Sequence, residues 1–286
     1  MTIFYKSKMI SIILVIIFIS CSALAEDEIN STKASPEGNL NDLSLSKLSK
    51  SETYMIVTAD KRASIAAKNI LDKGGSAIDA VIAAQMVLNV VEPQSSGIGG
   101  GGFLIYFDAN KKESLAFDGR ERAPIKYHSK VFLKKDGNKK GFIEAISGGL
   151  AVGAPSLLSM LEVAHKKYGL LDWKNLFNEA INYAGNGFIV GERLSKLSKK
   201  APHLKNQTET NQYFHIDNGG LQLGQKLMNY DLASTFKIIR DKGSSGLLNG
   251  EIADSILLKT KQSKNPGLLM FEDFSIVKPR IVLPLC

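Results

Sequence analysis

From Ile78 to Val91 the chain is apolar except at Asp79, Gln85 and Asn89. A helix made of these residues has almost no polar face to turn towards water, so other parts of the fold must cover it on all sides. Its limits are legible. Ser76 is a natural N-cap, Asp79 lies in the first turn where the helix dipole favours an acid, and Glu92-Pro93 stops the helix. Just upstream, Ala63, Ala66, Ala67, Ile70 and Leu71 recur at helical spacing, and Gly74-Gly75 reads as the C-terminal cap. Tyr54 to Thr58 reads as a short strand before it.

After the buried helix comes Ser95-Ser96-Gly97-Ile98-Gly99-Gly100-Gly101-Gly102. Phe103 to Phe107 and Glu113 to Phe117 then read as the two strands of a hairpin turning at Asp108-Ala109-Asn110. Gly148 to Pro155 is a turn of small residues, and Ser156 to Tyr168 an amphipathic helix. Further helical patterns involve Leu176, Ala180, Ile181 and Ala184, then Leu232 to Ile239 and Ile252 to Leu258, while Lys196 to Asn211 is polar and reads as a surface loop. Strands early and helices later imply an α+β domain, possibly layered. With 286 residues, 44% of them apolar and 22% charged, the chain has material for a sizeable core, which excludes disordered, collagen-like and disulfide-scaffold classes.

Residues 1–25 read as a secretory signal peptide: Lys6 and Lys8, the apolar run Met9 to Ser20, and Ala23-Leu24-Ala25 before Glu26. The run falls short of the roughly 20 apolar residues that a membrane span needs. The expected location is therefore secreted or periplasmic. A rival cut before Cys21, giving a lipid-anchored protein, has the poor lipobox Phe18-Ile19-Ser20-Cys21. Residues 26–52 read as a flexible polar leader and 53–286 as the folded domain. Net charge is +8, and losing Lys6 and Lys8 with the signal lowers it to +6. The lysines form no basic stripe interleaved with aromatics, so a nucleic-acid partner is not expected. Removal of the signal leaves Cys286 as the remaining cysteine, which allows no internal disulfide. The two cysteines and the scattered His128, His165, His203 and His215 show no metal-ligand spacing.

Gly97 to Gly102 matches G-x-G-x-x-G literally, but with a helix before it and a strand after it, the reverse of a dinucleotide site. Close backbone approach, by a packed segment or by a ligand, is the better reading of four consecutive glycines. Asp118-Gly119-Arg120-Glu121-Arg122-Ala123-Pro124 leaves the hairpin at a strand end. An arginine there offers a planar fork for a substrate carboxylate, and a plain surface ion-pair cluster is the alternative. No G-x-S-x-G elbow, H-E-x-x-H or Walker loop is present. The sequons at Asn30 and Asn206 are assigned nothing.

Taken together, Gly74-Gly75-Ser76-Ala77-Ile78-Asp79-Ala80, Val91-Glu92-Pro93, Gly97 to Phe103 and Phe117 to Pro124 resemble the gamma-glutamyltranspeptidase (glutathione hydrolase) family. Gly153-Ala154-Pro155, Tyr168-Gly169, Gly187 to Val190, Leu232-Ala233, Leu248 to Ala253 and Gly267 to Phe274 fit the same family, so the resemblance runs from about Tyr54 to Pro279. It implies an N-terminal-nucleophile hydrolase fold of αββα layers, of which this chain is the incomplete, large-subunit part. It also implies a precursor that cuts itself in two. The new N-terminal threonine of the small subunit then attacks a gamma-glutamyl amide, typically of glutathione, with its own amine available as base. Arg120 matches the arginine that grips the alpha-carboxylate of the glutamyl group. Glu121 is expected to support that loop, and Arg122 stands where the family commonly has an apolar residue and is assigned no role.

The family continues for roughly as many residues again. Thr2, Thr32, Thr53, Thr58, Thr208, Thr210, Thr235 and Thr260 include no Thr-Thr pair of the kind that begins the small subunit, so no catalytic residue is assigned in this chain. A cut before Thr208 would free a polar, helical segment without paired strands. The apolar ending Ile281 to Cys286 reads as having nothing to pair with, and an exposed apolar face is expected. Three readings follow. One is a gamma-glutamyl transferase or hydrolase part, active with a separately encoded small-subunit chain. The second is an inactive truncated remnant. The third is a gamma-glutamyl or glutamate-binding protein using Arg120. No metal or organic cofactor is implied, and membrane contact is limited to export unless Cys21 is acylated.

Overall fold

The structure, a computed structural model, describes residues 50–285. The expected signal segment, nearly all of the expected polar leader and Cys286 lie outside the described residues. The folded unit, as far as it is described, spans residues 54–285.

Helix α1 (Lys61–Asp72) starts at Asp60, whose carboxylate accepts the Arg62 backbone N–H at 2.8 Å. It buries Ala63, Ala66, Ala67 and Ile70, and the chain reverses after it at Gly74, whose φ of +84° suits glycine. Helix α2 (Ala77–Val91) is the buried helix read from the sequence. Its faces are covered except on the side carrying Val81 and Gln85. Ser76 and Asp79 form a capping box across its first turn. Asp79, fully buried, does more than the helix dipole explains: its Oδ2 also accepts the N–H groups of Leu170 and Leu171, at 2.9 and 3.1 Å. One carboxylate thus ties the start of α2 to the segment after a later helix.

Strands β1 (Gly102–Asp108) and β2 (Glu113–Gly119) form the expected antiparallel hairpin, and β5 (Arg280–Val282) adds to the far side of β2, giving the order β1-β2-β5. Phe117, fully buried, and the half-buried Leu104 and Tyr106 lie on the inner face. That face packs on helix α4 (Leu157–Tyr168), which follows the short α3 (Phe142–Ile146). The Tyr106 and Tyr168 rings stack there at 4.1 Å. The outer face is different. Phe103, Ile105 and Phe107 alternate along β1 and are 70%, 72% and 60% exposed.

The rest of the chain is helical. Helix α5 (Asn178–Asn186), the two-residue ladder of β3 (Phe188–Ile189) with β4 (Lys226–Leu227), and α8 (Tyr230–Lys242) extend the main core through Phe177, Phe188 and Phe236. Helices α9 (Ser245–Leu248), α10 (Glu251–Gln262) and α11 (Phe271–Ile276) follow. The last two join Ala154 in a smaller cluster through Ala253, Leu257 and Phe274. Among the described residues, no helix is long and apolar enough to cross a membrane.

Three expectations are corrected. Tyr54 to Thr58 forms no strand, and Val57 is largely exposed. Lys196 to Asn211 is not a loop. It holds the end of α6 (Glu192–Lys199), a 3-10 turn at Pro202–Asn206 and the first half of α7 (Thr208–Phe214). Polarity misleads here because α6 buries serines: Ser195 Oγ donates to the Leu221 carbonyl at 2.8 Å, and Ser198 Oγ accepts the Leu221 N–H at 3.0 Å. Of the apolar ending, Ile281 and Val282 pair back onto Phe117 and Ala116 of β2, while Leu283 and Leu285 stay exposed.

Asp79→Ala would strip three part-buried N–H donors, those of Ser76, Leu170 and Leu171, of their acceptor. The expected cost is about 3 kcal/mol, read as a lower urea midpoint, with Asp79→Asn costing less. A loss below about 1 kcal/mol would show that α2 and the 170–171 segment hold without this link.

Candidate functional site

The candidate site lies where β2 ends. Gly119 closes the strand, and Arg120 and Glu121 lead out of it along one wall of a cavity of about 770 Å³. The other walls come from α2 through Ile78, Val81 and Gln85, and from the outer residues of β1. The loop 93–102 and α4 close the remaining sides. The Arg120 side chain is 62% exposed and pairs through Nη1 with Glu121 Oε2. A cation with a planar fork therefore stands at an open, partly apolar cavity, held by a neighbouring acid. An incoming carboxylate would share or displace Glu121.

The glycine run explains how close the walls can come. A Cβ on Gly101 would lie 2.6 Å from Glu121 N and 2.5 Å from the Gly119 carbonyl, so the loop presses directly on the strand end. The Gly100 carbonyl accepts the N–H groups of Ser156 and Leu157, at 3.1 and 3.0 Å, which seats the first turn of α4 on the same loop. Gly119 in turn lies against Met160, and Ser156 Oγ donates to the Gly119 carbonyl. Tight packing thus accounts for Gly101 and Gly119, whereas Gly97 and Gly99 face open space.

Below the cavity is a polar layer that the sequence reading missed. Gln85 Nε2 donates to Ser96 Oγ at 2.6 Å and to Asn89 Oδ1 at 2.8 Å, joining α2 to the loop. Glu92, read above as the end of a helix and as part of the family-like Val91-Glu92-Pro93, is 5% exposed. Its Oε2 receives Arg193 from α6 at 3.1 Å and Gln94 Nε2 at 2.5 Å. Burial pushes the Glu92 carboxyl above its ordinary value, with Arg193 pulling the other way. A Glu92-Pro93 pair near a remote arginine carries no sequence signal, because the partner is 101 positions away in the chain.

Asp118 is the second node. Its Oδ1 accepts the Arg120 backbone N–H at 3.0 Å, and its Oδ2 receives Arg280 from β5, with Nε at 3.0 Å. Arg122, at 3.9 Å, is a weaker neighbour. The Arg280 bond first, and the Arg120 N–H next, hold the Asp118 carboxyl below its ordinary value. Behind Arg122, Asp273 accepts the Ile125 N–H at 2.7 Å and so ties the exit loop to α11. The structure thus brings Arg120 and Glu121 together at the cavity and turns Arg122 towards Asp118. Among the described residues no group of three His, Cys, Asp or Glu is placed to hold a metal ion.

Comparison with known proteins identifies a family for this chain. The gamma-glutamyltranspeptidase family model matches residues 63–286. The glutathione hydrolase proenzyme of Bacillus subtilis (strain 168) is 38% identical over 202 residues, covering 71% of this chain and 34% of that protein. The chain therefore spans about a third of the length of that relative. Among solved structures, the gamma-glutamyltranspeptidase of Helicobacter pylori aligns with a TM-score of 0.78 at 30% identity, over 83% of this chain and 68% of that one. The Bacillus anthracis transpeptidase CapD aligns at 0.66 and 28%, over 81% and 71%.

The folded state holds the Glu92 proton more tightly than the unfolded chain does. Stability should therefore fall as pH rises from the ordinary value of 4.5 through the raised folded one. In melting curves taken from about pH 4 to 7, Glu92→Gln should lack that fall. An unchanged pH profile would mean that Glu92 titrates like a solvated acid.

Proposed function

The chain belongs to the gamma-glutamyltranspeptidase family, and from that premise we propose that it supplies the glutamyl-binding part of an enzyme that cleaves or transfers gamma-glutamyl groups of the glutathione class. The observation that carries this reading is Arg120, whose guanidinium stands at the 770 Å³ cavity where β2 ends. A bidentate arginine–carboxylate contact fixes both the charge and the orientation of the donor's alpha-carboxylate. The gamma-amide carbonyl is then held at a set distance from that anchor.

The attacking group comes from a small subunit carrying an N-terminal threonine. Its hydroxyl oxygen adds to the amide carbonyl, its proton passing to the threonine's own amine. The leaving amine takes that proton as the C–N bond breaks, leaving a glutamyl ester. Water or an amino acid then takes the acyl group and restores the hydroxyl. The apolar row Phe103, Ile105 and Phe107 supports the presence of such a partner, since an exposed row of this kind calls for cover. The leader at residues 1–25 supports a secreted or periplasmic setting.

The test uses the chain from Glu26 onward, alone and co-purified with a small-subunit chain that begins with the threonine, with a gamma-glutamyl p-nitroanilide as substrate. The chain alone should release no p-nitroaniline, and the complex should. Arg120→Ala in the complex should lower kcat/KM by about 100- to 1000-fold, and Arg120→Lys should recover little, because an ammonium cannot reproduce the fork. Release by the chain alone, or an unaffected Arg120→Ala complex, would refute the proposal.

A further inference from the structure

Three guanidinium groups, Arg120, Arg122 and Arg280, gather round two carboxylates, Asp118 and Glu121, within a few residues of the cavity. Their sorting is the question. Asp118 lies two positions before Arg120, with its side chain only 12% exposed. An acid so placed is a natural trap for the Arg120 side chain, and a trapped Arg120 could not meet a ligand. The structure shows the trap already filled. Arg280 is the direct cross-strand partner of Asp118 in the β2–β5 register, so both side chains stand on the same face of the sheet. It delivers two N–H groups, Nε and Nη2, to Asp118 Oδ2. The other oxygen of Asp118 is occupied by the Arg120 backbone N–H. Arg122, with no hydrogen bond at its 3.9 Å separation, does not compete.

We infer that Arg280 is a positioning residue for Arg120: by satisfying Asp118 across the strand pair, it leaves the Arg120 guanidinium in the cavity for the ligand. It does so from 160 positions away in the sequence. The inference rests on the proposed role of Arg120 and names a second residue that the role requires. Removing Arg280 leaves Asp118 an anion with a vacant oxygen, and Arg120 turns back onto it. Removing both Arg280 and Asp118's charge leaves nothing to turn back to.

The test is the rate at which p-hydroxyphenylglyoxal modifies Arg120, mapped by mass spectrometry on the full chain from Glu26. Arg280→Gln should slow modification of Arg120 by about threefold, the size of one partly exposed ion pair. Arg280→Lys should restore most of the rate, and the double variant Asp118→Asn/Arg280→Gln should restore it fully. An unchanged rate in Arg280→Gln would overturn the inference. So would a double variant as slow as the single one, because the effect would then come from loss of β5 rather than from capture by Asp118. A parallel run with L-glutamate separates the two claims. The expected Arg280 pattern without protection of wild-type Arg120 by L-glutamate upholds the positioning and counts against the glutamyl role.

Discussion

Two backbones touch without a side chain between them where Gly101 meets Gly119 and Glu121. The site depends on this contact. It sets the loop 93–102 against the end of β2, and through the Gly100 carbonyl it sets the first turn of α4 against the loop. Arg120 leaves the strand one residue after the contact. Its direction is therefore fixed by packing on three elements rather than by its own exposed side chain. A methyl group at Gly101 would have to displace backbone atoms, which cannot yield as a flexible side chain can.

The polar layer under the cavity follows from the same constraint. A loop rich in glycine has little side chain with which to anchor itself. Here the anchoring comes from the loop's own first residues and from its neighbours. Glu92 binds both Gln94 and Arg193, and Ser96 binds Gln85 and Asn89 on α2. These contacts also explain why an apolar helix keeps Gln85 and Asn89 at all. They lie one turn apart on the side of α2 that meets the loop, where a buried amide is satisfied only by a specific partner.

Elements with a strong local signal were readable from the residues alone. α2 has its capping box and its Glu92-Pro93 stop, the β1–β2 hairpin has its alternation, and α4 has its apolar stripe. Arg120 stood out only through the family-like motif around it, since a cation at a strand end reads equally well as one partner of a surface ion pair. What stayed hidden was long-range. Arg193 reaching Glu92, Arg280 reaching Asp118 and Asp273 reaching Ile125 join residues about 100 to 160 positions apart. No pattern of period 2 or 3.6 reports such a meeting. The α6 serines were hidden for the opposite reason. Their polarity suggested solvent, whereas they are buried and bonded to the backbone at Leu221.

The face of the sheet that carries Phe103, Ile105 and Phe107 also carries Asp118 and Arg280, since Phe103 pairs with Asp118 and Asp118 with Arg280. An ion pair set in an apolar row has two different environments. Open to water, it is screened and contributes little. Covered by an apolar partner, the same two charges lose their solvent, and breaking them apart becomes costly because each would remain buried alone. The proposed docking of a small subunit would therefore tighten the Asp118–Arg280 pair as it closes over the sheet, and with it the backbone of Arg120. Docking would thus add to the hold that the Gly101–Gly119 contact already has on the backbone of Arg120, so that binding of the donor and assembly of the attacking group support each other.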